Sequence, residues 1–385
     1  MSKKISKVVV PSMRLVGVIS LFLVASAAFA QGDQSITVDC NSGGSLSGTL
    51  AKLNKQVPHT IIVQGTCTEY VSIDGFEGLT LKGQPGAVIQ QPATNPQNSS
   101  YVLSITGSRA INVFGLTVNS LPSIFTGIGI GKGSSQVLLK NVTVTGSWGV
   151  VIYEESQVWL TGLNVTISSG YAAVSAFDKS DVHIAGGLLQ RAADSNNYAG
   201  LFVGSGHVTL QGMTIRDMQT SITVNSSGSV DTVAVDGTQP SDILIDNPSG
   251  TNTNGVVVSD GSSLNQGSAR LLIRNAGQSY GFTSGAVFVT NNSSLNAGTG
   301  LLVTNSQGQG VIVTNNSHAT FAGSSVTRSL HGGLVAANLS TIDLQGWQGL
   351  NRVGGNNPDL FCDSSSYITG TSNLALPHPI ARTSY

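Results

Sequence analysis

Charge is what this sequence has least of. Only 10% of its 385 residues are Asp, Glu, Lys or Arg, against about a quarter in an ordinary domain. The 18 basic residues are balanced by 19 acidic ones. A nucleic-acid partner would need a basic face, so that class of function is excluded. Cysteine is nearly as sparse, at Cys40, Cys67 and Cys362. No Cys-x-x-Cys and no paired His stands near them, which weakens a zinc reading. Long apolar runs are missing beyond Phe29, so no later segment is a membrane span. No Gly-x-Ser-x-Gly and no phosphate loop occurs, and the Gly-Gly-x-Gly-x-Asp of calcium-binding solenoids is absent.

The one apolar run, Leu15 to Phe29, follows Lys3, Lys4, Lys7 and Arg14 and ends on Ala28-Phe29-Ala30. That is the pattern of a secretory leader cleaved before Gln31; as an anchor the run is short. Cleavage would leave 14 basic against 19 acidic residues, a net charge of −5. The exported chain, extracellular or periplasmic, would meet oxidising conditions, which makes Cys40–Cys67 the expected disulfide and leaves Cys362 over.

Glycine is abundant, at 47 residues, and Ser, Thr, Asn and Val make up much of the rest. This is a strand-and-turn composition. From Ser135 to Ile167 a pattern occurs twice: Ser-Gln-Val-Leu-Leu-x-Asn-Val-x-Val, then Ser-Gln-Val-Trp-Leu-x-Gly-Leu-x-Val. Alternation of β-branched residues predicts strands, and the Asn or Gly between them predicts a bend with positive φ. Aligning the first inward residue of each copy gives a ladder: Leu79, Ile111, Val137, Val158, Val182, Val208, Val230, Leu264, Leu295, Ala319 and Ile342, in steps of 21 to 34 residues. Four residues beyond, eight of the eleven rungs carry the bend residue: Gly83, Gly115, Asn141, Gly162, Gly186, Gly212, Gly323 and Gly346. Such a recurrence predicts an all-β solenoid of about eleven coils, three short strands per coil, wound as a right-handed parallel β-helix. Before it, Leu46, Leu50 and Leu53 at helical spacing, with Ser45 as N-cap, predict a capping helix. The expected divisions are 1–30 leader, 31–59 strand and capping helix, 60–350 β-helix, and 351–385 closure and tail. Trp347, Phe361 and Tyr367 are expected to cover the last coil, and Leu376 to Pro379 to be loose. The Pro- and Gly-containing stretch from Asp236 to Gly255 reads as a surface loop.

On these residues the chain resembles the secreted right-handed β-helix proteins of the pectate-lyase-like superfamily. The opening Ile-Thr-Val-Asp-Cys, the helix, Ile-Ile-Val-Gln-Gly-Thr-Cys-Thr-Glu, Val-Ser-Ile and Leu-Thr-Leu-Lys-Gly carry the likeness. The resemblance implies the fold and leaves the activity open, because this scaffold serves many functions. The polygalacturonase motifs Asn-Thr-Asp, Gly-His-Gly and Arg-Ile-Lys are absent, as is the Asp-Pro-His-Asp of alginate epimerases. No clustered calcium-binding acids with a downstream Arg stand out either. The resemblance therefore transfers no catalytic residue.

What remains is a concentration of charge: Glu154, Glu155, Asp178, Lys179, Asp181, Arg191 and Asp194. Glu154 and Asp178 lie four residues before their ladder positions, Glu155 and Lys179 three before. Stacking would set Glu154 beside Asp178, Glu155 beside Lys179, and Tyr153 beside Phe177. Two carboxylates next to aromatic faces suit a sugar or a cation. The plainer reading is a solvated turn with one ion pair and aromatics sealing the corner. If a ligand site exists, its residues are Tyr153, Glu154, Phe177, Asp178, Lys179, Arg191 and Asp194. If it is catalytic, Glu154 and Asp178 carry the chemistry. No cofactor is expected, calcium being the one ion the carboxylates would suit. The expected role is non-catalytic, either binding a polysaccharide or cell-surface glycan or serving as a structural part of the cell surface. The rival function is an acidic-polysaccharide lyase or hydrolase with an unfamiliar site. Trp159 and His183 share a register and should point outward as a weaker candidate.

Overall fold

The computed structural model describes residues 35–94, 99–121, 126–192, 199–234, 242–248, 254–277, 284–298, 300–376 and 379–383. The stretch read as a leader and Asp194 lie outside them.

From Ser35 onward the chain is a parallel β-helix of about twelve turns, wound in the right-handed sense that parallel crossovers take. Each coil contributes a strand to a first, a second and a third sheet. In coils such as those of Gln157–Ile167 and Asp181–Arg191, one strand runs through the bend and joins the first two sheets. The third sheet has thirteen strands among the described residues, from Val71–Asp74 to Ile380–Thr383.

The predicted ladder is the pairing register of the first sheet. Leu79 faces Ile111, Val137 faces Val158, and Val158, Val182, Val208, Val230, Leu264, Leu295, Ala319 and Ile342 follow in single file. The count of eleven falls slightly short because the ladder extends to His59 before Leu79 and to Ile368 after Ile342. His59 breaks the apolar alternation, and Ile368, an ordinary 26 residues after Ile342, falls in the stretch read as closure. Inward Val, Ile and Leu from all three sheets make one continuous core, with most members wholly buried.

At the bend between first and second sheets, six of the eight predicted residues have positive φ: Gly115, Asn141, Gly162, Gly186, Gly212 and Gly323. Gly83 and Gly346 do not. There the glycine answers to close approach instead, since a Cβ on Gly83 would lie 2.5 Å from the Gly115 carbonyl oxygen and one on Gly346 2.5 Å from Asn373 Oδ1.

The turn from the third sheet back to the first obeys a second rule. Its two central residues are both left-handed in many coils: Glu154 and Glu155, Asp178 and Lys179, Ser226 and Ser227, Asn291 and Asn292, Asn315 and Asn316. The next residue is a buried serine in most coils, including Ser108, Ser134, Ser156, Ser180, Ser262, Ser293, Ser317 and Ser340. Most of these hydroxyls are hydrogen-bonded. Ser317 Oγ accepts from the Ser293 amide at 3.2 Å, Ser340 Oγ from Ser317 at 3.1 Å, and Ser366 Oγ from Ser340 at 3.2 Å. This inner serine column satisfies amides that the corner would otherwise orphan.

At the N-terminal end the helix Leu46–Leu50 forms as expected, with Ser45 Oγ accepting from the Gly48 amide at 2.9 Å and Leu46 and Leu50 buried. The Glu69 carboxylate adds acceptors for the amides of Leu46 and Ser47 at 2.6 and 3.0 Å, where a helix N-terminus favours negative charge. Cys40 and Cys67 are joined, with their Cα atoms 5.1 Å apart, and Cys362 is buried and free.

The C-terminal expectations need correction. Trp347 and Tyr367 are 68% and 61% exposed and cover nothing. Phe361 lies against Ile312 and Val335 on the outer face of the third sheet. Ile380–Thr383 pairs with Leu360–Asp363 as a regular strand, because its register continues the third sheet. Within the stretch read as a loop, Ile243–Asp246 is a second-sheet strand beside Leu271–Arg274; its alternation was too short to stand out among the turn residues.

Two stability outcomes follow from these contacts. Gly186→Val, placing a β-branched residue at φ 68°, should lower stability by more than about 1 kcal/mol, while Gly186→Asn should cost much less, as Asn141 already occupies that corner. Denaturant midpoints of the two variants compare the effects directly. Replacing both Cys40 and Cys67 by Ser should remove roughly 3–4 kcal/mol, read from the same melts, with peptide mapping of the unreduced parent showing the linked pair.

Candidate functional site

The turns that carry the predicted cluster are built alike. Tyr153-Glu154-Glu155-Ser156 and Phe177-Asp178-Lys179-Ser180 each fold back through two left-handed residues. In each, the serine hydroxyl donates to the carbonyl of the first residue, at 2.8 Å for Ser156 to Tyr153 and 2.6 Å for Ser180 to Phe177. The Glu155 amide donates to the Asp178 carbonyl at 2.9 Å, so the turns stack one coil apart, about 4.8 Å. Glu154 and Asp178 thus share a position, and so do Glu155 and Lys179, whose charged ends stand 3.9 Å apart at the surface. That pair is well exposed and worth little energetically. Glu154 leans the other way, its Oε2 accepting from the Lys132 amide at 3.0 Å.

Together with the preceding and following turns these residues line an open groove of about 610 Å³, bounded by Lys132, Gly133, Glu154, Glu155, Asp178, Lys179 and Ser205. Beside it the strand Thr126–Gly131 alternates glycine with isoleucine. Ile128 and Ile130 enter the core, while Gly129 and Gly131 face outward beneath aromatic rings. A Cβ on Gly129 would fall 2.3 Å from the Tyr101 ring, and one on Gly131 2.3 Å from the Tyr153 ring. The two tyrosines stack at 6.1 Å between centroids with 15° between planes. Burial holds the Tyr101 hydroxyl protonated well above the usual tyrosine range, and its hydrogen bond to Tyr153 and the charge of Glu154 act in the same direction.

Phe177 turns toward the opposite neighbour. It packs on Phe202 at 5.3 Å and lies over Gly204. Phe202 in turn meets Tyr171 edge-on at 4.6 Å, and Tyr171 meets Trp148 at 6.2 Å. The outer face of the third sheet therefore carries an arc of rings that runs away from the groove. Sequence reasoning missed Tyr101, Gly129 and Gly131; the Gly-Ile-Gly-Ile-Gly alternation was the available signal, since outward glycines on a strand mark close approach of something bulky.

Arg191 sits elsewhere. It closes the second-sheet strand opposite Ile167, so the third-sheet strand Ala199–Gly204 separates its corner from the groove by roughly 17 Å of chain. Trp159 and His183 pair on the outer face of the first sheet as expected, both half-buried. Among the described residues the one group with metal-type donors close together is Cys40, Cys67 and Glu69, and its two sulfurs are bonded to each other.

No family model and no curated protein matches the chain. Solved structures resemble it at low identity. A pectin methylesterase variant in complex with a hexasaccharide is 12% identical, over 69% of this chain and 80% of that one, with a TM-score of 0.34. A second pectin methylesterase–hexasaccharide complex is 14% identical, over 54% and 82%, at 0.28. Tailspike protein 3 of bacteriophage CBA120 is 12% identical, over 90% and 63%, at 0.34.

The tyrosine pair makes a prediction about pH. A hydroxyl whose folded pKa is raised contributes stability that is whole below the unfolded value of 10.0 and is lost as pH rises above it. In an absorbance titration of the phenolates, Tyr101→Phe should remove a transition that lies above those of the exposed tyrosines. The same variant should lose stability less steeply than the parent above that pH.

Proposed function

We propose that this protein is an exported β-helix that binds a glycan in the groove between the Lys132, Glu154 and Asp178 turns, without cleaving it. One observation carries the reading: two stacked tyrosines laid on outward glycines form a rigid apolar floor directly beside a groove rimmed by carboxylates and amines. Rings held this way lose little freedom when a sugar face covers them. Carboxylates and ammonium groups supply acceptors and donors for hydroxyls. The Cys40–Cys67 bond fits an oxidising compartment. No helix among the described residues is long and apolar enough to cross a membrane.

A hydrolase or lyase reading would rest on Glu154 and Asp178 alone. Both are exposed, and both stand on the same rim of an open groove. A glycosidase sets its two carboxyl groups on either side of the scissile bond, whereas Glu154 and Asp178 stack in one column with Lys132, and the neighbouring Glu155 is paired with Lys179.

A glycan array on the mature chain, followed by calorimetry on the strongest hit, tests the proposal. Glu154→Gln with Asp178→Asn should weaken binding roughly five- to a hundred-fold, the scale of losing polar contacts worth about 1–3 kcal/mol. Gly131→Ala, which pushes the Tyr153 ring off its floor, should do the same, with thermal midpoints little changed. Unaltered affinity in both variants would remove the groove as the site. New chain ends in a uronate-cleavage screen would make the protein an enzyme.

A further inference from the structure

Far from the groove, the C-terminal coils expose large apolar side chains that the repeat elsewhere mostly keeps inside. At the bend after the first sheet, six coils turn on a single Gly or Asn of positive φ, and others carry longer bends without large exposed apolar residues among the described residues. After Ile342 the bend is instead the run Gly346-Trp347-Gln348-Gly349-Leu350, inserted before the second-sheet strand Arg352–Gly354. Trp347 and Leu350 stand 68% and 57% exposed on it. In the next coil, the outward column that holds Ser294, His318 and Thr341 ends in Tyr367, 61% exposed. Two large rings thus bracket one strip of the first sheet, Tyr367 at its start and Trp347 just past its end. The strand Thr341–Gln345 between them covers about 13 Å, room for more than one sugar ring.

The strip between the rings is a connected polar chain. The Trp347 indole N–H donates to Gln345 Oε1. Gln345 Nε2 donates to Asp343 Oδ2 at 2.9 Å, and Thr369 Oγ1 donates to Asp343 Oδ1 at 2.9 Å. The chain holds the Trp347 indole and leaves acceptor capacity on Asp343 and the Gln345 carbonyl, both partly exposed. A held indole and an exposed phenol ring flanking hydrogen-bond acceptors are complementary to pyranose rings, whose C–H faces are apolar and whose edges are hydroxyls. The strip carries a carboxylate and no cation, which disfavours uronates.

We infer that Trp347 and Tyr367, with Asp343, Gln345 and Thr369 between them, form a second saccharide platform for a neutral oligosaccharide of equatorial pyranoses. It stands on its own residues and does not depend on the groove.

The chain has three tryptophans, so Trp148→Phe with Trp159→Phe leaves Trp347 as the only indole reporter. Titrating this variant with cellohexaose should shift Trp347 emission to the blue in a saturable way. Calorimetry on the unmodified chain should give the same affinity, and it replaces the fluorescence readout if the double variant does not fold. Tyr367→Ala and Asp343→Asn should each weaken the effect at least ten-fold. Glu154→Gln with Asp178→Asn should leave it intact, which separates this platform from the groove. No saturable response at millimolar cellohexaose would overturn the inference, and so would a response that survives Tyr367→Ala. An equal response to hexagalacturonate would overturn the assignment to neutral sugars.

Discussion

In a stack of parallel coils no strand can satisfy its own backbone. Every amide and carbonyl of a strand points along the stack and is paired only if the next coil arrives in register. Register therefore governs everything else here. The first-sheet column from Leu79 to Ile368 keeps it through steps of very different length, because the surplus residues leave at the corners and never inside a strand. Corners must reverse the chain within one or two residues, which demands left-handed backbone, and Gly, Asn, Asp and Ser supply it at least cost.

The corner rule also shapes the surface. Along the turn from third sheet to first, the outer position passes from Asp260 through Asn291 and Asn315 to Asn338. Their side chains hydrogen-bond in file: Asn291 to Asp260 at 2.9 Å, Asn315 to Asn291 at 3.2 Å and Asn338 to Asn315 at 3.1 Å. Two residues inward runs the serine column. The repeated Asn-x-Ser triplets are thus an outer amide ladder and an inner hydroxyl ladder read along the chain. Around Lys132, Glu154 and Asp178 the same position holds charges in three consecutive coils, and there the ladder gives way to the groove.

Aromatic rings mark the other departures from the repeat. Tyr101 and Tyr153 lie flat because the strand beneath them spends its outward positions on glycine. Trp347 and Tyr367 stand free because an inserted bend lifts one and the outward column ends on the other. In both places a pleated surface that would otherwise be Ser, Thr and Asn is given apolar area, held in place by neighbours that contribute nothing else.

The strand period, the bend spacing, the capping helix and the cysteine pairing were legible in the sequence, since each follows a simple rule: alternation, positive φ, an N-cap, and the tendency of sparse cysteines to pair under oxidising conditions. The pairing of Glu154 with Asp178 was legible too, as equal offsets from a ladder become neighbours in a stack. What offsets do not carry is the direction in which a side chain leans. Tyr153 and Phe177 share a register, yet one ring lies back over Gly131 and the other forward over Gly204, because each goes to the coil that has room. Arg191 is close to the cluster in number but a whole strand away in space, since a coil folds its sequence around three faces. Trp347 and Tyr367 looked like a lid by composition; only the register of the last coils set them on an open face, with a hydrogen-bonded strip between them.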